Sequence, residues 1–284
     1  MKKVLITGAN SYIGMSFENW IEHHCNDMTV ETLDMIDDAW RNRDFGVYDA
    51  IFHVAGIAHQ KETRENAGLY YRVNRDLAIE TAKKAKESGV KQFVILSTMS
   101  VYGVNRGVIT KETQENPTTH YGKSKYEADE EIKKLNDENF TVAILRPPMV
   151  YGKSCKGNYQ LLRKFSLKTP IFPCFSNERS MIYISNLVAF VENVIRENKK
   201  GVFFPQNAEY VNTTDMVVQI AGEHDRKIRT ITLFNWLIHI MMRMHIGVVE
   251  KVFGTLIYEK VDLCDCVDFH NSIAETEKIN EKER

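Results

Sequence analysis

Over the first 150 residues, short apolar runs alternate with longer segments of helical period. Val4–Thr7 and Gln92–Leu96 are short apolar runs that predict buried strands, whereas the apolar positions of Tyr12–His24 follow one helix face. Strands that are apolar on both faces are typical of parallel sheets covered by helices on each side. The alternation therefore predicts an α/β fold with a parallel sheet and helices on both of its faces. Further strands are expected at Thr29–Leu33, Ala50–Val54 and Phe140–Leu145, and further helices at Leu69–Ser88 and Tyr121–Leu135.

The pattern changes after residue 150, where apolar runs become sparser and loops longer. A chain of 284 residues is long enough for two domains or for one composite domain. We therefore expect a sheet domain at 1–150 and a smaller lobe at 151–284 that sends some elements back to the sheet. The charged segment Glu275–Arg284 is a candidate for disorder.

Composition narrows the class of protein. The formal net charge is −1 and the sequence pI is 6.8, so the chain lacks the basic surplus that is typical of nucleic-acid binding. Five scattered cysteines indicate reduced thiols rather than a disulfide framework, and the Cys and His spacings match no zinc site. Too few apolar residues follow Met1–Lys3 for a secretory signal. These features predict a cytoplasmic protein without a bound metal.

The most apolar stretch of the chain, Ile231–Met242, is 12 residues long and is interrupted by Asn235 and His239. A helix that spans a bilayer needs about 20 apolar residues, so no membrane span is expected. A position on a membrane surface would need a basic polar face, and His239, Arg243 and His245 provide only a weak one. The stretch is therefore expected to contribute to the core of the lobe or to an interface.

A turn that contains two glycines, Thr7–Gly14, joins the first predicted strand to the first helix. Gly8 lets the backbone turn tightly beside a pyrophosphate, and Gly14 permits close packing of the helix on the strand. Asp34 lies 20 residues after Gly14, where an acidic side chain binds ribose hydroxyls and repels a 2′-phosphate. The turn predicts a dinucleotide site that prefers NAD to NADP. The alternative is that both glycines serve only turning and packing.

Tyr121 and Lys125 are four residues apart and therefore share one face of the predicted helix. Because a nearby cation stabilises a phenolate, Tyr121 could exchange a proton with a substrate hydroxyl near neutral pH. Ser97 and Thr98 end the preceding strand, and ligands of open α/β sheets bind beyond the C-terminal ends of the strands. These positions predict a proton-transfer site. The alternatives are a capping role for the two hydroxyls and a solvated surface pair for Tyr121 and Lys125.

Several motifs occur in one order along the chain, namely TGANSYIG at 7–14, HVAG at 53–56, Asn74, STMSVYG at 97–103, YGKSK at 121–125 and LRPPMVYG at 145–152. In combination they resemble the extended short-chain dehydrogenase/reductases, the NAD-dependent nucleotide-sugar epimerase/dehydratase family. The resemblance implies a Rossmann-type doubly wound sheet that holds the dinucleotide, and a small C-terminal lobe that holds a nucleotide-sugar. It also implies a homodimer formed through the helices at Leu69–Ser88 and Tyr121–Leu135.

The resemblance also implies roles for single residues. Tyr121 is expected to be the acid/base, Lys125 to bind the nicotinamide ribose and lower the pKa of that tyrosine, and Thr98 to hydrogen-bond the reacting oxygen. Arg179 resembles the family arginine that meets the substrate diphosphate, a contact suited to a guanidinium. The expected NAD contacts are Gly8, Asn10, Ser11, Tyr12, Ile13, Gly14, Asp34, Ala55, Gly56, Asn74, Tyr121, Lys125 and Pro148. The expected substrate contacts are Thr98, Met99, Tyr121, Gly157, Asn158 and Arg179.

Three departures from the family pattern narrow these expectations. Ser11 replaces the middle glycine of the phosphate turn. Met99 and Ser100 follow Thr98 where the sugar 4,6-dehydratases of the family carry an acid pair, which argues against dehydration. The segment 34–48 is too short for a full strand–helix unit. The pattern is most similar to the branch of 4-epimerases and 4-reductases that act on polysaccharide precursors.

The expected function is that of an NAD-dependent nucleotide-sugar epimerase, similar to the UDP-hexose 4-epimerases. A 4-keto nucleotide-sugar reductase that consumes NAD(P)H is the alternative, because the same residues serve hydride transfer in both directions. A protein that binds the dinucleotide only as a sensor or an assembly partner is the non-enzymatic alternative. Such a protein would not need Thr98, Tyr121 and Lys125 together.

Overall fold

The computed structural model of the chain describes residues 1–58, 60–264 and 266–278. In chain order, the strands are β1 (Lys2–Thr7), β2 (Met28–Leu33), β3 (Ala50–His53), β4 (Gln92–Leu96), β5 (Gly107–Ile109), β6 (Thr141–Leu145), β7 (Met149–Tyr151), β8 (Ile171–Pro173), β9 (Met181–Tyr183), β10 (Gly201–Phe203), β11 (Gln206–Asn207), β12 (Arg229–Ile231), β13 (Leu256–Tyr258) and β14 (Leu263–Cys264). The α-helices are α1 (Tyr12–His24), α2 (Ala67–Tyr70), α3 (Leu77–Glu87), α4 (His120–Lys133), α5 (Asn158–Lys168), α6 (Ile184–Arg196), α7 (Thr213–Gly222), α8 (Asn235–Arg243), α9 (Gly247–Phe253) and α10 (Phe269–Glu277). Short 3-10 helices cover Asp38–Asn42 and Met99–Tyr102, and Tyr71–Asp76 forms a π-helical turn between α2 and α3.

In the part of the chain that the structure describes, six strands form one parallel sheet in the order β2-β1-β3-β4-β6-β10. Thr7 lies opposite both Leu33 and His53, and Leu96 lies opposite Leu145. The central strands therefore end together at one edge of the sheet, as parallel strands that share a ligand site do. The expected α/β fold with a Rossmann-type parallel sheet is confirmed.

The connection between β2 and β3 is unusually short. It makes the 3-10 helix Asp38–Asn42 instead of a strand and a helix. Trp40 on this helix and Phe45 after it are 2% and 0% exposed, and both belong to the hydrophobic core under the sheet. Two large aromatic side chains thus cover apolar surface that a longer crossover would bury. The prediction that the segment 34–48 is too short for a strand–helix unit is confirmed.

The chain divides into two compact units that alternate along the sequence. The first unit consists of Met1–Gly103, Gln114–Pro147 and Leu187–Pro205, and it contains the six-stranded sheet. The second unit consists of Val104–Thr113, Pro148–Asn186 and the described residues from Gln206 onward. It contains two-stranded parallel pairs formed by β5 with β13, β7 with β9, β8 with β12, and β11 with β14.

The charged C-terminal segment is helical up to Glu277, where α10 ends. The expectation of disorder from residue 275 onward is therefore wrong for the first residues of the segment. The Glu277 carboxylate is buried and bonds to three side chains, at 2.7 Å from Tyr159 Oη, 2.6 Å from Arg163 Nε and 2.7 Å from His224 Nε2. A buried carboxylate with three partners fixes the end of the helix. The last part of the segment, 279–284, lies outside the described residues.

The apolar stretch Ile231–Met242 begins at the end of β12 and continues into α8. Ile238 is buried, whereas Trp236 and Ile240 are 62% and 46% exposed, so much of the stretch does not lie in a core. Over the described residues, no helix is long and apolar enough to cross a bilayer.

Candidate active site

The turn between β1 and α1 approaches the strand beside it very closely. Gly8 has a φ of 118°, and the amides of Gly8 and Ala9 donate to the Leu33 carbonyl at 2.9 and 3.1 Å. A Cβ atom on Gly8 would lie 2.7 Å from the backbone nitrogen of Ala55, so no side chain fits there. The backbone between the ends of β1, β2 and β3 is thus left bare, as a bound pyrophosphate requires.

The residues after Gly8 lead the chain into α1. Asn10 has a left-handed φ of 62°, and the Ser11 hydroxyl accepts a hydrogen bond from the Gly14 amide at 3.2 Å. The serine that stands in place of the family glycine is therefore the N-cap of the helix. The first turn of α1, which begins at Tyr12 and Ile13, provides the helix N-terminus that suits an anion.

Gly14 allows α1 to pack tightly on the sheet. A Cβ atom there would lie 2.6 Å from Ser11 Oγ, 3.1 Å from Ile6 Cγ2 and 3.2 Å from Val54 Cγ2. A methyl group would push the helix away from both strands or displace the capping hydroxyl. The packing role that the sequence predicts for Gly14 agrees with this geometry.

Asp34 follows β2 beside the glycine turn, because Leu33 accepts the two amides of that turn. Its side chain is exposed, and Oδ1 accepts a hydrogen bond from the Ile36 amide at 2.9 Å. This bond holds a negative charge at the edge of the turn, where it suits ribose hydroxyls better than a phosphate.

Tyr121 and Thr98 meet at the ends of α4 and β4. Thr98 Oγ1 accepts from the Ser100 amide at 3.1 Å. Burial raises the pKa of Tyr121 above its ordinary value, the neighbouring Thr98 hydroxyl lowers it, and Asp129 and Tyr70 raise it again. Tyr121 keeps some exposure to solvent, as a group that exchanges protons with a ligand needs.

Lys125 lies one helical turn after Tyr121 and is only 4% exposed. Its Nζ donates to the Leu96 carbonyl at 2.9 Å and lies 3.2 Å from the position of a Cβ atom on Gly56. Burial lowers the pKa of Lys125 to about 8, and the charge of Asp129 acts in the opposite direction. The ammonium is thus anchored to the end of β4. The expected lowering of the Tyr121 pKa by Lys125 stays a prediction, because Thr98 is the group that lowers it in this geometry.

Asn74 lies on the π-helical turn and is fully buried. Its Oδ1 accepts from the Ile57 amide at 2.8 Å, and its Nδ2 donates to the Ile57 carbonyl at 3.1 Å and to Ser124 Oγ at 3.3 Å. A π turn inside a helix is rare and often marks a functional site. Asn74 therefore ties the loop after β3 to α4 and acts as a positioning residue. Its expected contact with NAD stays a prediction.

Sequence reasoning missed Glu62. Its carboxylate accepts from the backbone amides of His120 at 3.0 Å and Tyr121 at 2.9 Å, at the N-terminus of α4. Thr119 caps the same helix by accepting from the Gly122 amide at 3.0 Å. A carboxylate at this position is stabilised by the unpaired amides and by the helix dipole. Glu62 thus helps to fix the turn that carries Tyr121.

Sequence reasoning also missed a buried charge cluster beneath the site. Asp129 is 0% exposed, and its Oδ2 accepts from Ser97 Oγ at 2.7 Å and from Arg146 Nε at 3.1 Å. Arg146 is 2% exposed and also donates to Glu115 at 2.6 Å and to the Tyr102 hydroxyl at 2.9 Å. Burial raises the pKa of Asp129 to about 6, against the effect of the Arg146 charge. The cluster joins the end of β4 to α4, one turn from Lys125.

Four of the predicted cofactor and substrate contacts belong to the second unit, namely Pro148, Gly157, Asn158 and Arg179. Gly157 has a φ of 94° and precedes Asn158, the first residue of α5. Arg179 donates to the Gly254 carbonyl at 2.8 Å, and burial lowers its pKa to about 10. No acidic side chain among the described residues offsets that burial. Such a guanidinium favours an anionic ligand.

The predicted cofactor residues other than Pro148 lie in the first unit, together with Thr98 and Met99. Met99 begins the 3-10 helix after β4, is partly exposed, and donates its amide to the Pro147 carbonyl at 3.1 Å. The structure therefore brings together the glycine turn, Asp34 and the Thr98–Tyr121–Lys125 group at one edge of the sheet. Their roles toward a cofactor and a substrate stay predictions.

Comparison with known proteins identifies the family of this chain. A model of the NAD dependent epimerase/dehydratase family matches residues 4–204. The UDP-glucose 4-epimerase of Vibrio cholerae is 27% identical over 283 residues, which cover 90% of this chain and 86% of that protein. The N-acetyl-alpha-D-glucosaminyl-diphospho-ditrans,octacis-undecaprenol 4-epimerase of Escherichia coli O157:H7 is 24% identical over 252 residues, which cover 81% of this chain and 75% of that protein.

A solved structure shares the fold. The UDP-glucuronic acid 4-epimerase from Bacillus cereus, in complex with NAD, matches 97% of this chain and 95% of its own with a TM-score of 0.74 and 16% identity. The family model spans more than half of the chain and covers both the glycine turn and the Tyr121–Lys125 pair. The chain belongs to the NAD-dependent epimerase/dehydratase family.

Proposed function

We propose that the protein is an NAD-dependent nucleotide-sugar epimerase that acts on a UDP-linked sugar. The observation that carries the proposal is the position of Tyr121 beside the Thr98 hydroxyl, one helical turn from the buried Lys125. A protein that only binds a dinucleotide has no need of this group. The relative from Vibrio cholerae, a UDP-glucose 4-epimerase, supports the choice of epimerase and of a UDP-linked substrate.

The residues of the first unit fit NAD. The backbone around Gly8 admits no side chain, and the first turn of α1 offers amides to a pyrophosphate. Asp34 would hold the adenosine ribose and disfavour the additional phosphate of NADP. Lys125 and Gly56 would hold the nicotinamide ribose, since a side chain at Gly56 would crowd the ammonium.

The proposed chemistry assigns proton transfer to Tyr121. NAD, which the glycine turn, Asp34 and Lys125 would hold, would supply a hydride acceptor for a sugar carbon and a donor to the opposite face of the same carbon. Tyr121 takes the proton of the sugar hydroxyl in the first step and gives it back in the second. Thr98 donates a hydrogen bond to the same oxygen, which orients it toward the phenol. The positive charge of Lys125 stabilises the phenolate while the proton is away.

Arg179 is proposed to bind the diphosphate of the substrate, because burial leaves its charge without an acidic partner among the described residues. A diphosphate also occurs in sugars linked to a polyprenol. The relative from Escherichia coli O157:H7 acts, by its name, on such a substrate, so a polyprenyl-diphosphate sugar is the second candidate. A 4-keto-sugar reductase is the third, because the Thr98–Tyr121–Lys125 group serves reduction equally well.

The test of the mechanism is the variant Tyr121→Phe. Loss of an acid/base group is expected to lower kcat by about a hundredfold or more, while the Kd for NAD stays near that of the wild type. Tyr126→Phe, on the same helix, is the matched control and is expected to keep its activity. Equal turnover by Tyr121→Phe and wild type would overturn the assignment of Tyr121 as the acid/base.

The reaction is tested with a panel of UDP-, GDP- and dTDP-sugars, with and without added NADH. An epimerase converts its sugar without net change in absorbance at the reduced-nicotinamide band, whereas a reductase consumes NADH in proportion to product. A polyprenyl-diphosphate sugar added to the panel separates the second candidate. NAD binding without turnover of any of these substrates would contradict the proposed function and favour a sensor.

A further inference from the structure

Helix α8 presents an apolar stripe on its outer face. Trp236 and Ile240 are four residues apart and share one side of the helix, and Leu233 just before the helix and Met244 at its end continue the spacing of three or four residues. In that order they are 62%, 46%, 69% and 69% exposed. Outward faces of helices in globular proteins are normally polar. An exposed row of large apolar side chains marks an interaction surface.

The inner side of α8 is apolar as well, and it is already occupied. Ile238 is 6% exposed, and the His239 ring centroid lies 5.0 Å from that of Phe175. Asn235 fixes the start of the helix by donating to the Cys174 carbonyl at 2.7 Å. The helix is therefore held by one face, and its outer stripe is not needed for packing within the second unit.

The stretch of chain that carries α8 and α9 is basic, although the whole chain has a net charge of −1 and the exposed Glu223 and Asp225 precede this stretch. The segment 226–251 contains five basic side chains, Arg226, Lys227, Arg229, Arg243 and Lys251. They are all exposed. The only acidic residue of this segment, Glu250, is 3% exposed and pairs with His245 at 3.1 Å. The charge offered to a partner by this segment is therefore positive.

We propose that α8 and its basic surroundings dock on the surface of a membrane that contains anionic phospholipids. Helices of this kind lie in the interface, with tryptophan and aliphatic side chains among the acyl chains and basic groups at the phosphates. A second copy of the chain is the less favoured occupant, because the exposed positive charges around the stripe would face one another across a symmetric interface. His239, Arg243 and His245 alone provide only a weak basic face. Arg226, Lys227 and Arg229, which precede the helix, add three more basic side chains to it. This proposal is independent of the reaction that the protein catalyses.

The test is co-sedimentation of the full chain with vesicles. Vesicles of equal parts phosphatidylethanolamine and phosphatidylglycerol are expected to bind the protein at low salt, and vesicles of phosphatidylcholine to bind it at least about tenfold more weakly. Trp236→Glu/Ile240→Glu is expected to lower the partition coefficient by about tenfold or more, because it places two charges in the apolar stripe. Val47→Glu, at an apolar position that is 53% exposed in the first unit, is the matched control and is expected to bind as the wild type does.

Two further measurements distinguish the basic and apolar contributions. Arg226→Gln/Arg229→Gln/Arg243→Gln is expected to weaken binding to the anionic vesicles by about fivefold per residue. Tryptophan emission is expected to shift to the blue and to be quenched by brominated lipid, because Trp236 is 62% exposed whereas Trp40 is 2% exposed. The same lipid is expected to leave the emission of Trp236→Phe unchanged.

The proposal is overturned if the wild type fails to sediment with the anionic vesicles at low salt, or if Trp236→Glu/Ile240→Glu sediments as well as the wild type. Sedimentation velocity without lipid measures the oligomeric state and so tests whether a second copy of the chain covers the stripe. A dimer that Trp236→Glu/Ile240→Glu dissociates, in a protein that ignores vesicles, would assign the stripe to a second copy and likewise overturn the proposal. Thermal melting of each variant shows that the exposed substitutions leave the fold intact.

Discussion

The buried ion pair beneath the site gives the sharpest prediction for stability. Arg146 and Asp129 are 2% and 0% exposed, with Arg146 Nε 3.1 Å from Asp129 Oδ2. Arg146→Met removes the cation and leaves a buried carboxylate that keeps the hydrogen bond from the Ser97 hydroxyl. Breaking a buried pair in this way costs about 3–5 kcal/mol of the free energy of unfolding. Much of the stability of a typical domain would then be lost.

The cost must depend on pH, and its sign follows from the pKa of Asp129. Burial already raises that pKa from 3.8 to about 6 with Arg146 in place. Because the pKa of Asp129 is higher in the folded than in the unfolded protein, its contribution to the free energy of unfolding falls as pH rises from 3.8 to about 6. The loss is about 3 kcal/mol at 1.36 kcal/mol per pKa unit. Without Arg146 the folded pKa rises further, so the falling range extends to higher pH. The deficit of Arg146→Met is therefore expected to be larger at pH 8 than near pH 5, where the carboxyl becomes protonated.

The assay is denaturant unfolding of the wild type and Arg146→Met at pH 8 and near pH 5. Arg196→Met is the control, because its guanidinium is 41% exposed and pairs with Asp27 and Glu192 at the surface. It is expected to cost no more than about 1 kcal/mol at either pH. Asp129→Leu/Arg146→Met is expected to be more stable at pH 8 than Arg146→Met alone, since it removes the unpaired charge. A deficit for Arg146→Met that is below about 1 kcal/mol, or that does not shrink in acid, would refute the reasoning.

Two predictions concern cofactor binding. Gly14→Ala is expected to lower the melting temperature and to weaken NAD binding by at least about fivefold. The reason is that its methyl group would lie 2.6 Å from the capping Ser11 Oγ and 3.1 Å from Ile6 Cγ2. An unchanged Kd for NAD, measured by titration, would show that the turn tolerates the methyl group. Lys125 loses its proton as pH rises through about 8, so NAD affinity is expected to decline above that pH in the wild type. Lys125→Arg, which stays charged, is expected to move this decline to higher pH, and coincident pH profiles would contradict a role for the charge.

The sheet and its helices could be predicted because each depends on a local pattern. Gln92–Leu96 forms the expected strand without a shift, and the helix expected at Tyr121–Leu135 runs over His120–Lys133. The short connection after β2 could also be predicted, because the segment 34–48 has too few residues for a strand and a helix. Apolar period, glycine position and segment length act over a few residues, so one sequence is enough to read them.

The parts that could not be predicted depend on contacts between distant segments. Glu62 reaches amides 58 and 59 positions further along the chain, and Arg146 reaches Asp129 from another element. No particular sequence separation between a carboxylate and its partner predicts such a contact. The alternation of the two units has the same origin, since Val104–Thr113 joins the second unit through the pairing of β5 with β13. Residue roles at the edge of the sheet were suggested by resemblance to a family.

The π-helical turn at Tyr71–Asp76 has a consequence for how the helix before α4 can vary. It widens the helix by one residue per turn, so the phase of the segment before it is set independently of the phase of α3. Before the turn, Tyr70 is 1% exposed with its ring centroid 6.3 Å from that of Tyr121; after it, Ala78 is buried in the core. Deleting one residue here would convert the turn to a regular α-helical one and leave the faces of the flanking segments nearly in place, whereas deleting one residue within α3 would rotate one side relative to the other by about 100°. A one-residue deletion at the turn is therefore expected to preserve the packing of Tyr70 and Ala78 better than one within α3.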